Sequence, residues 1–309
     1  MAQNKPVRKH PEPAAGGLYP IRTVADITGV NAVTLRAWER RYKLINPRRT
    51  PKGHRLYSQD QIDLIKRVVQ LLDQGVAISQ VGGFLAGSNP AVVTGSRDEG
   101  PWPDYRELML QAVQNYDGHE LDRVYNDALS LYPVDLVTTR LVSPLLQTLG
   151  TRWQERGVGV AEEHFFTGYL RNKLGARFHH LNEQVTGPRL VAACLPGEFH
   201  DIGLLLFALS AVSHGFRVVM LGANMPLEEL PEVARRAGVQ GVVLSGSVRP
   251  PRRFFAEDLG RLVAQLGVPV FLGGNTSLVR HAEIEEAGAI PLGAEYAPAI
   301  ETLRARLGF

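Results

Sequence analysis

Cysteine is almost absent from this chain: Cys194 is the only one in 309 residues, which excludes an internal disulfide framework. It lies in an apolar run, the setting of an inert buried thiol and not of a reactive exposed one. Long apolar runs are missing too. No stretch reaches the roughly eighteen to twenty residues that a membrane-crossing helix needs, and the first seventeen residues are polar and proline-rich, without a signal-peptide core. These absences predict a cytoplasmic protein with no membrane partner. A strong excess of one charge is also lacking, since 34 Lys and Arg against 31 Asp and Glu leave a formal net charge of +3. A polyanion would have to be met by positive charge concentrated in one region. Neither G-x-G-x-x-G nor a P-loop occurs, so no motif supports nucleotide binding.

What is present divides the chain into parts. A hydrophobic content of 44 % is ample for several cores. Residues 1–17 read as a disordered tail, and Ser, Asn, Pro and Gly scattered through 88–103 mark a linker. A second boundary falls at 184–188. The expected parts are a small helical domain at 18–87, a helical segment at 104–184, and a domain of alternating strands and helices at 187–309.

The last part carries the most specific chemistry. An apolar run at 189–195 suits a buried strand, and 204–214 is an apolar segment of helix length. Between them stands Leu-Pro-Gly-Glu-Phe-His-Asp-Ile-Gly at 195–203, which sets His200 at the carboxyl end of a strand, where open α/β sheets bind ligands. A neutral imidazole suits cobalt, and Glu198 is placed to hold its other nitrogen. By itself Glu-x-His-x-x-Gly also fits an ordinary surface turn. Two more buried strands, at 239–247 and 268–272, end in Ser245-Gly-Ser247 and Gly273-Gly274. These would line the same sheet edge, offering hydroxyl donors and close backbone approach to a long cofactor tail. The combination resembles the cobalamin-binding domain of methionine synthase and methylmalonyl-CoA mutase, with its D-x-H-x-x-G, S-x-L and G-G motifs. The resemblance implies a Rossmann-like fold, His200 as lower axial ligand of cobalt, and Glu198, Asp201, Gly203, Ser245, Ser247, Gly273 and Gly274 around the cofactor. Glu198 replaces the family's Asp, and Ser245-Gly-Ser247 departs from S-x-L.

At the other end, 21–30 has the spacing of a short helix closed by a Gly turn, and Asn31 is an N-cap for a second helix at 32–41. A basic segment broken by Pro and Gly follows at 47–57, as in a hairpin wing. Thr-Leu-Arg-Ala-Trp-Glu-Arg-Arg-Tyr at 34–42 and Arg-Arg-Thr-Pro-Lys-Gly-His-Arg-Leu-Tyr-Ser at 48–58 are similar to the winged-helix DNA-binding domain of MerR-type regulators. That resemblance implies promoter DNA as partner, paired subunits, and DNA contacts from Arg36, Trp38, Arg41 and Tyr42 on the helix and Arg55 and Tyr57 on the wing. Sequence would be read partly through DNA bending.

The middle segment shows helical periodicity broken at 116–119, 132–135 and 156–159, which predicts a four-helix bundle. Trp153 falls near the end of the third helix and Glu163 and His164 at the start of the fourth. Each is also an ordinary residue for a helix corner or first turn. In this context W-x9-E-H resembles the light-sensing cobalamin regulators of the CarH and LitR type, in which this end of the bundle covers the upper face of adenosylcobalamin.

The expected architecture is multidomain, α and α/β: a MerR-type winged helix, a four-helix bundle and a Rossmann-like cobalamin domain. The resemblance implies a light-responsive repressor, dimeric or tetrameric, that holds DNA in darkness and is not an enzyme. Gln154 follows Trp153 where well-known members have a His that takes cobalt after photolysis; His164, His179 and His180 are the other imidazoles within reach in sequence. Adenosylcobalamin is the expected cofactor, with methylcobalamin as the smaller option. A cobalamin sensor without light function is the competing reading. A cobalamin enzyme would need a substrate domain for which no stretch is long enough.

Overall fold

The computed structural model describes residues 17–87, 100–156, 159–247 and 250–309, apart from the side chains of Asp26 and residues 153–156. Nearly all of the expected tail and most of the expected linker therefore lie outside the described residues. The chain forms two compact units, Met1–Phe165 and Phe166–Phe309.

The first unit begins with β1 (Tyr19–Pro20) and α1 (Ile21–Thr28), which stops where Gly29 adopts a left-handed conformation at φ 70°. The Asn31 side chain then accepts the backbone N–H groups of Val33 and Thr34, both at 2.9 Å, and starts α2 (Ala32–Ala37). That helix continues as a π-helical turn through Trp38–Tyr42. β2 (Arg48–Arg49) and β3 (Arg55–Tyr57) pair antiparallel as the expected wing, and β1 joins the other side of β3. Two helices, α3 (Gln59–Asp73) and α4 (Ile78–Leu85), complete this part.

The helical segment follows as α5 (Trp102–Gln114), α6 (Gly118–Leu131) and α7 (Val134–Val137), the last running through a π-helical turn into α8 (Ser143–Arg156). The breaks lie where the sequence places them: Asp117 accepts the Glu120 N–H to cap α6, and Pro133 cannot continue it. α9 (Val160–Asn182) starts in the first unit and ends in the second.

Trp38 overturns one expectation. Its side chain is fully buried, and its indole N–H donates to the Leu131 carbonyl at 2.9 Å. The Thr34 hydroxyl donates to the Leu129 carbonyl one turn away, at 3.1 Å. The buried face of α2 thus satisfies carbonyls that the last turn of α6 leaves without partners inside the helix. Trp102, Tyr105 and Tyr132 cluster nearby, with Trp102 and Tyr132 ring centroids 4.7 Å apart. Trp38 joins the first two parts of the chain and does not face DNA.

The second unit is a five-stranded parallel sheet in the order β5-β4-β6-β7-β8, built from β4 (Arg189–Cys194), β5 (Arg217–Gly222), β6 (Gly241–Ser245), β7 (Val270–Gly273) and β8 (Ile290–Gly293). Its strands are short and mostly buried because helices cover both faces. α10 (Ile202–Ser213) and α15 (Tyr296–Leu307) lie on one face, α11 (Leu230–Ala237) and α12 (Gly260–Gln265) on the other, while α13 (Asn275–Val279) and α14 (His281–Glu286) link β7 to β8. The carboxyl half of α9 belongs to this unit. Asn182 exchanges two hydrogen bonds with the backbone of Val218, and Phe178 and Leu181 pack on the core below. The sequence pattern assigns all of α9 to the bundle, because one uninterrupted helical period gives no sign of a change in packing partner.

Trp38→Phe keeps most of the buried ring but leaves the Leu131 carbonyl unsatisfied. It should lower the unfolding free energy by about 1–3 kcal/mol, measured by denaturant unfolding; an unchanged midpoint would mean that the indole hydrogen bond contributes nothing.

Candidate functional site

Strand order reverses between β4 and β6, and ligands of open parallel sheets bind outside the carboxyl ends of strands at such a point. The turn after β4 carries Glu198 and His200, and the turn after β6 carries Ser247. Glu198 is 1 % exposed and gathers the surrounding donors. Its Oε1 accepts the His200 backbone N–H at 2.8 Å and faces His200 Nδ1 at 2.7 Å, while its Oε2 accepts the Ser247 N–H at 2.6 Å and the Ser247 hydroxyl. Burial alone would raise the Glu198 pKa, but donation from Ser247 and His200 outweighs it and holds the carboxyl at about 2.

An ionised Glu198 makes Nδ1 the donor, so in the neutral imidazole the lone pair is on Nε2. The His200 side chain is 67 % exposed, in contrast to the carboxylate beneath it. A single oriented imidazole suits a metal that brings its other donors in a macrocycle. Among the described residues no group of three or more His, Cys, Asp or Glu side chains could hold a bare ion.

Beside this turn, Gly203, Ser245, Gly273 and Gly274 line a slot walled by Phe207, Leu292 and Tyr296. Glycine is required where the turns after β6 and β7 meet beside it. A Cβ on Gly246 would stand 2.6 Å from side-chain atoms of Leu195 and Thr276, and one on Gly274, already at φ 85°, would stand 2.5 Å from the Gly246 carbonyl oxygen. Cys194 is buried under the turn, its thiol pushed up to about 12 by burial and then by the charges of Glu198 and Asp201.

Two of the residues expected around the cofactor have other partners. Ser247 gives both its hydrogen-bond donors to Glu198 and does not line the slot, because the turn after β6 folds back toward β4. Asp201 pairs with Arg171 of α9 at 2.8 Å. Glu163 and His164 stand on the part of α9 that belongs to the first unit, half-buried and exposed respectively. The side chains of Trp153 and Gln154 lie outside the described residues. His179 and His180 are exposed, next to Glu183 and Gln184 just past the end of their helix.

On the winged helix, Arg36 and Arg41 are exposed and Tyr42 is partly so. Tyr57 is not available to DNA: it is fully buried, its hydroxyl has no hydrogen-bond partner, and burial first, then nearby Glu39, push its pKa up to about 12. Tyr57 stands two residues after Arg55, on the same side of the strand by alternation, so the local pattern gives no sign that it is buried. Arg55 is clamped by Glu39, which also accepts Arg49 at 2.7 Å. Burial opposes ionisation of Glu39, but the two guanidinium groups prevail and lower its pKa. Glu39, which ties helix to wing, is a residue that sequence reasoning passed over. Its sequence signal was a lone acid inside a basic helix.

Comparison with known proteins agrees with these parts in order. Residues 19–88 match the MerR HTH family of regulatory proteins, and 105–177 and 188–301 each match a B12 binding domain family. The HTH-type transcriptional repressor CarH of Myxococcus xanthus is 34 % identical over 282 residues, covering 86 % of this chain and 92 % of that protein. The chain belongs to the MerR-type transcriptional regulators with a B12-binding domain. The HTH-type transcriptional repressor CarA of the same organism is 31 % identical over 92 % of this chain and 94 % of its own length. In fold, 65 % of the chain matches 97 % of a Methanosarcina barkeri monomethylamine corrinoid protein, with a TM-score of 0.53 at 22 % identity. Cobalamin binding and DNA binding are therefore general properties of this regulator. No helix among the described residues is long and apolar enough to cross a membrane.

Gly274→Ala adds a methyl against backbone at a left-handed position and should cost about 1–3 kcal/mol of stability in the cofactor-free protein; thermal unfolding without cobalamin checks this, and an unchanged transition would contradict the tight β6–β7 contact. Glu39→Gln retains size but releases both arginines. The ratio of affinities for target over random duplex should fall roughly tenfold, as for loss of one charge-assisted hydrogen bond, while affinity for random DNA holds or rises; fluorescence anisotropy on both duplexes decides.

Proposed function

We propose that this regulator is a light-responsive repressor that uses adenosylcobalamin, binding promoter DNA in darkness as a dimer or tetramer and releasing it after illumination. The observation that carries the reading is the Ser247–Glu198–His200 relay at the strand-order reversal, on a chain that also carries a winged helix. His200 would hold cobalt through Nε2, with the glycine-lined slot receiving the cofactor's tail. When bound, the group would supply a cobalt–carbon bond that light can break.

The chain's own part is to orient the imidazole and to respond to the upper ligand. Glu198 holds His200 in one tautomer, and Trp153, Glu163 and His164 are the residues that would meet the upper ligand. Two ligation states of unequal affinity for the protein would shift its assembly, and with it the hold on DNA. In this reading the protein is not an enzyme and works in the cytoplasm. Gln154 favours a second reading, a cobalamin-supply sensor without light function, because it removes the His that follows Trp153 in well-known members.

Protein loaded in darkness with adenosylcobalamin and freed of excess should keep a cobalamin spectrum that changes under green light, with loss of promoter binding in the same sample. His200→Ala should alter that spectrum and Glu198→Gln should weaken retention by about 10–100-fold, the usual effect of a partner behind a metal ligand. A retained spectrum indifferent to light selects the supply sensor. No retention at all removes both readings.

A further inference from the structure

The continuous helix of α2 and its π-helical turn presents to solvent a narrow stripe in which the resemblance to MerR-type domains names Arg36 but not Val33. With Thr34, Leu35, Ala37 and Trp38 buried, the outward positions are Val33, Arg36 and Arg40. They are spaced at three and four residues, and Arg40 Nε lies back along the helix within 3.4 Å of the Arg36 carbonyl. Val33 is 58 % exposed in the first turn of the helix. A valine side chain left in water beside arginines gains nothing for folding, since the core lies on the opposite side.

The geometry points to Val33 as a sequence-reading residue whose isopropyl group contacts the C5-methyl of a thymine in the major groove. Recognition helices of this class meet base edges with their amino-terminal residues, and the thymine methyl is the one apolar mark the major groove displays. Charge complementarity fixes the occupant: Arg36, Arg40, Arg41, Lys43 and Arg48 are exposed around the stripe, and the one acid in this helix, Glu39, is engaged by Arg49 and Arg55. Arg36 and Arg40 would hold phosphates to either side and set the helix depth, leaving discrimination at one position of each half-site to Val33. The inference rests on DNA binding by the winged helix and not on cobalamin or light.

The test begins with selection of preferred duplexes from a random library by the full-length protein, loaded with adenosylcobalamin and kept in darkness. Each thymine of the selected site is then replaced singly by deoxyuridine, which lacks only the methyl. For the unaltered protein one position in each half-site should lose about fourfold in affinity, the value of one buried methyl-sized contact. Val33→Ala, an exposed substitution by a better helix former, should be indifferent to deoxyuridine there while keeping its salt dependence, since the arginines remain. Indifference of the unaltered protein at every thymine overturns the assignment, as does a Val33→Ala variant that keeps the full methyl effect. If the unaltered protein selects no DNA, the DNA-reading role fails and the assignment with it; selection without a methyl effect removes Val33 alone.

Discussion

A buried carboxylate must be satisfied from every side, and in the sheet unit this requirement joins two turns that are 49 residues apart in sequence. Glu198 can remain ionised with almost no exposure because a serine from the turn after β6 and a histidine from its own turn surround it with donors. The arrangement holds only if β4 and β6 are neighbours in register, as the pairing of Cys194 with Ser245 makes them. It also requires Gly246 to pass close to Leu195 and Thr276. Orientation of the imidazole, the path of the turn and the slot beside it therefore follow from one charge that water does not solvate.

The amino-terminal unit meets a similar requirement with neutral groups. The end of α6 leaves carbonyls unpaired because Pro133 stops the helix, and side chains from the buried face of α2 supply the missing donors. Helix α2 of the winged-helix part is thereby tied to the helical segment that lies beside it in the same unit. Any shift of α6 would have to break these bonds or carry α2 with it. Helix α9 provides continuity of another kind, since its single run of backbone hydrogen bonds begins in one compact unit and ends in the other.

Charge on the winged helix is divided by function in a way that composition conceals. Arg49 and Arg55 spend part of their charge on Glu39, which fixes the wing against the helix, while Arg36, Arg40 and Arg41 stay exposed. A count of basic residues treats these groups alike. Only their distances to Glu39 separate the cations engaged in fixing the wing from those left in solvent.

Local patterns were enough for much of this protein. The Asn31 cap, the basic hairpin, the helix breaks near Asp117 and Pro133, the apolar strands and the turn bearing His200 all express preferences acting over a few residues, so they could be read without coordinates. Even the Glu198–His200 pair was legible, because its members are two positions apart. Tertiary structure decided whatever depended on long-range company. It turned Trp38 and Tyr57 inward, because burial is set by the opposing element and not by neighbouring charges. It drew Ser247 away from the slot to the carboxylate, divided α9 between two packing partners, and left Val33 in solvent. Sequence determines which groups a segment can offer; contacts between segments distant in the chain determine which of them are used up in holding the fold.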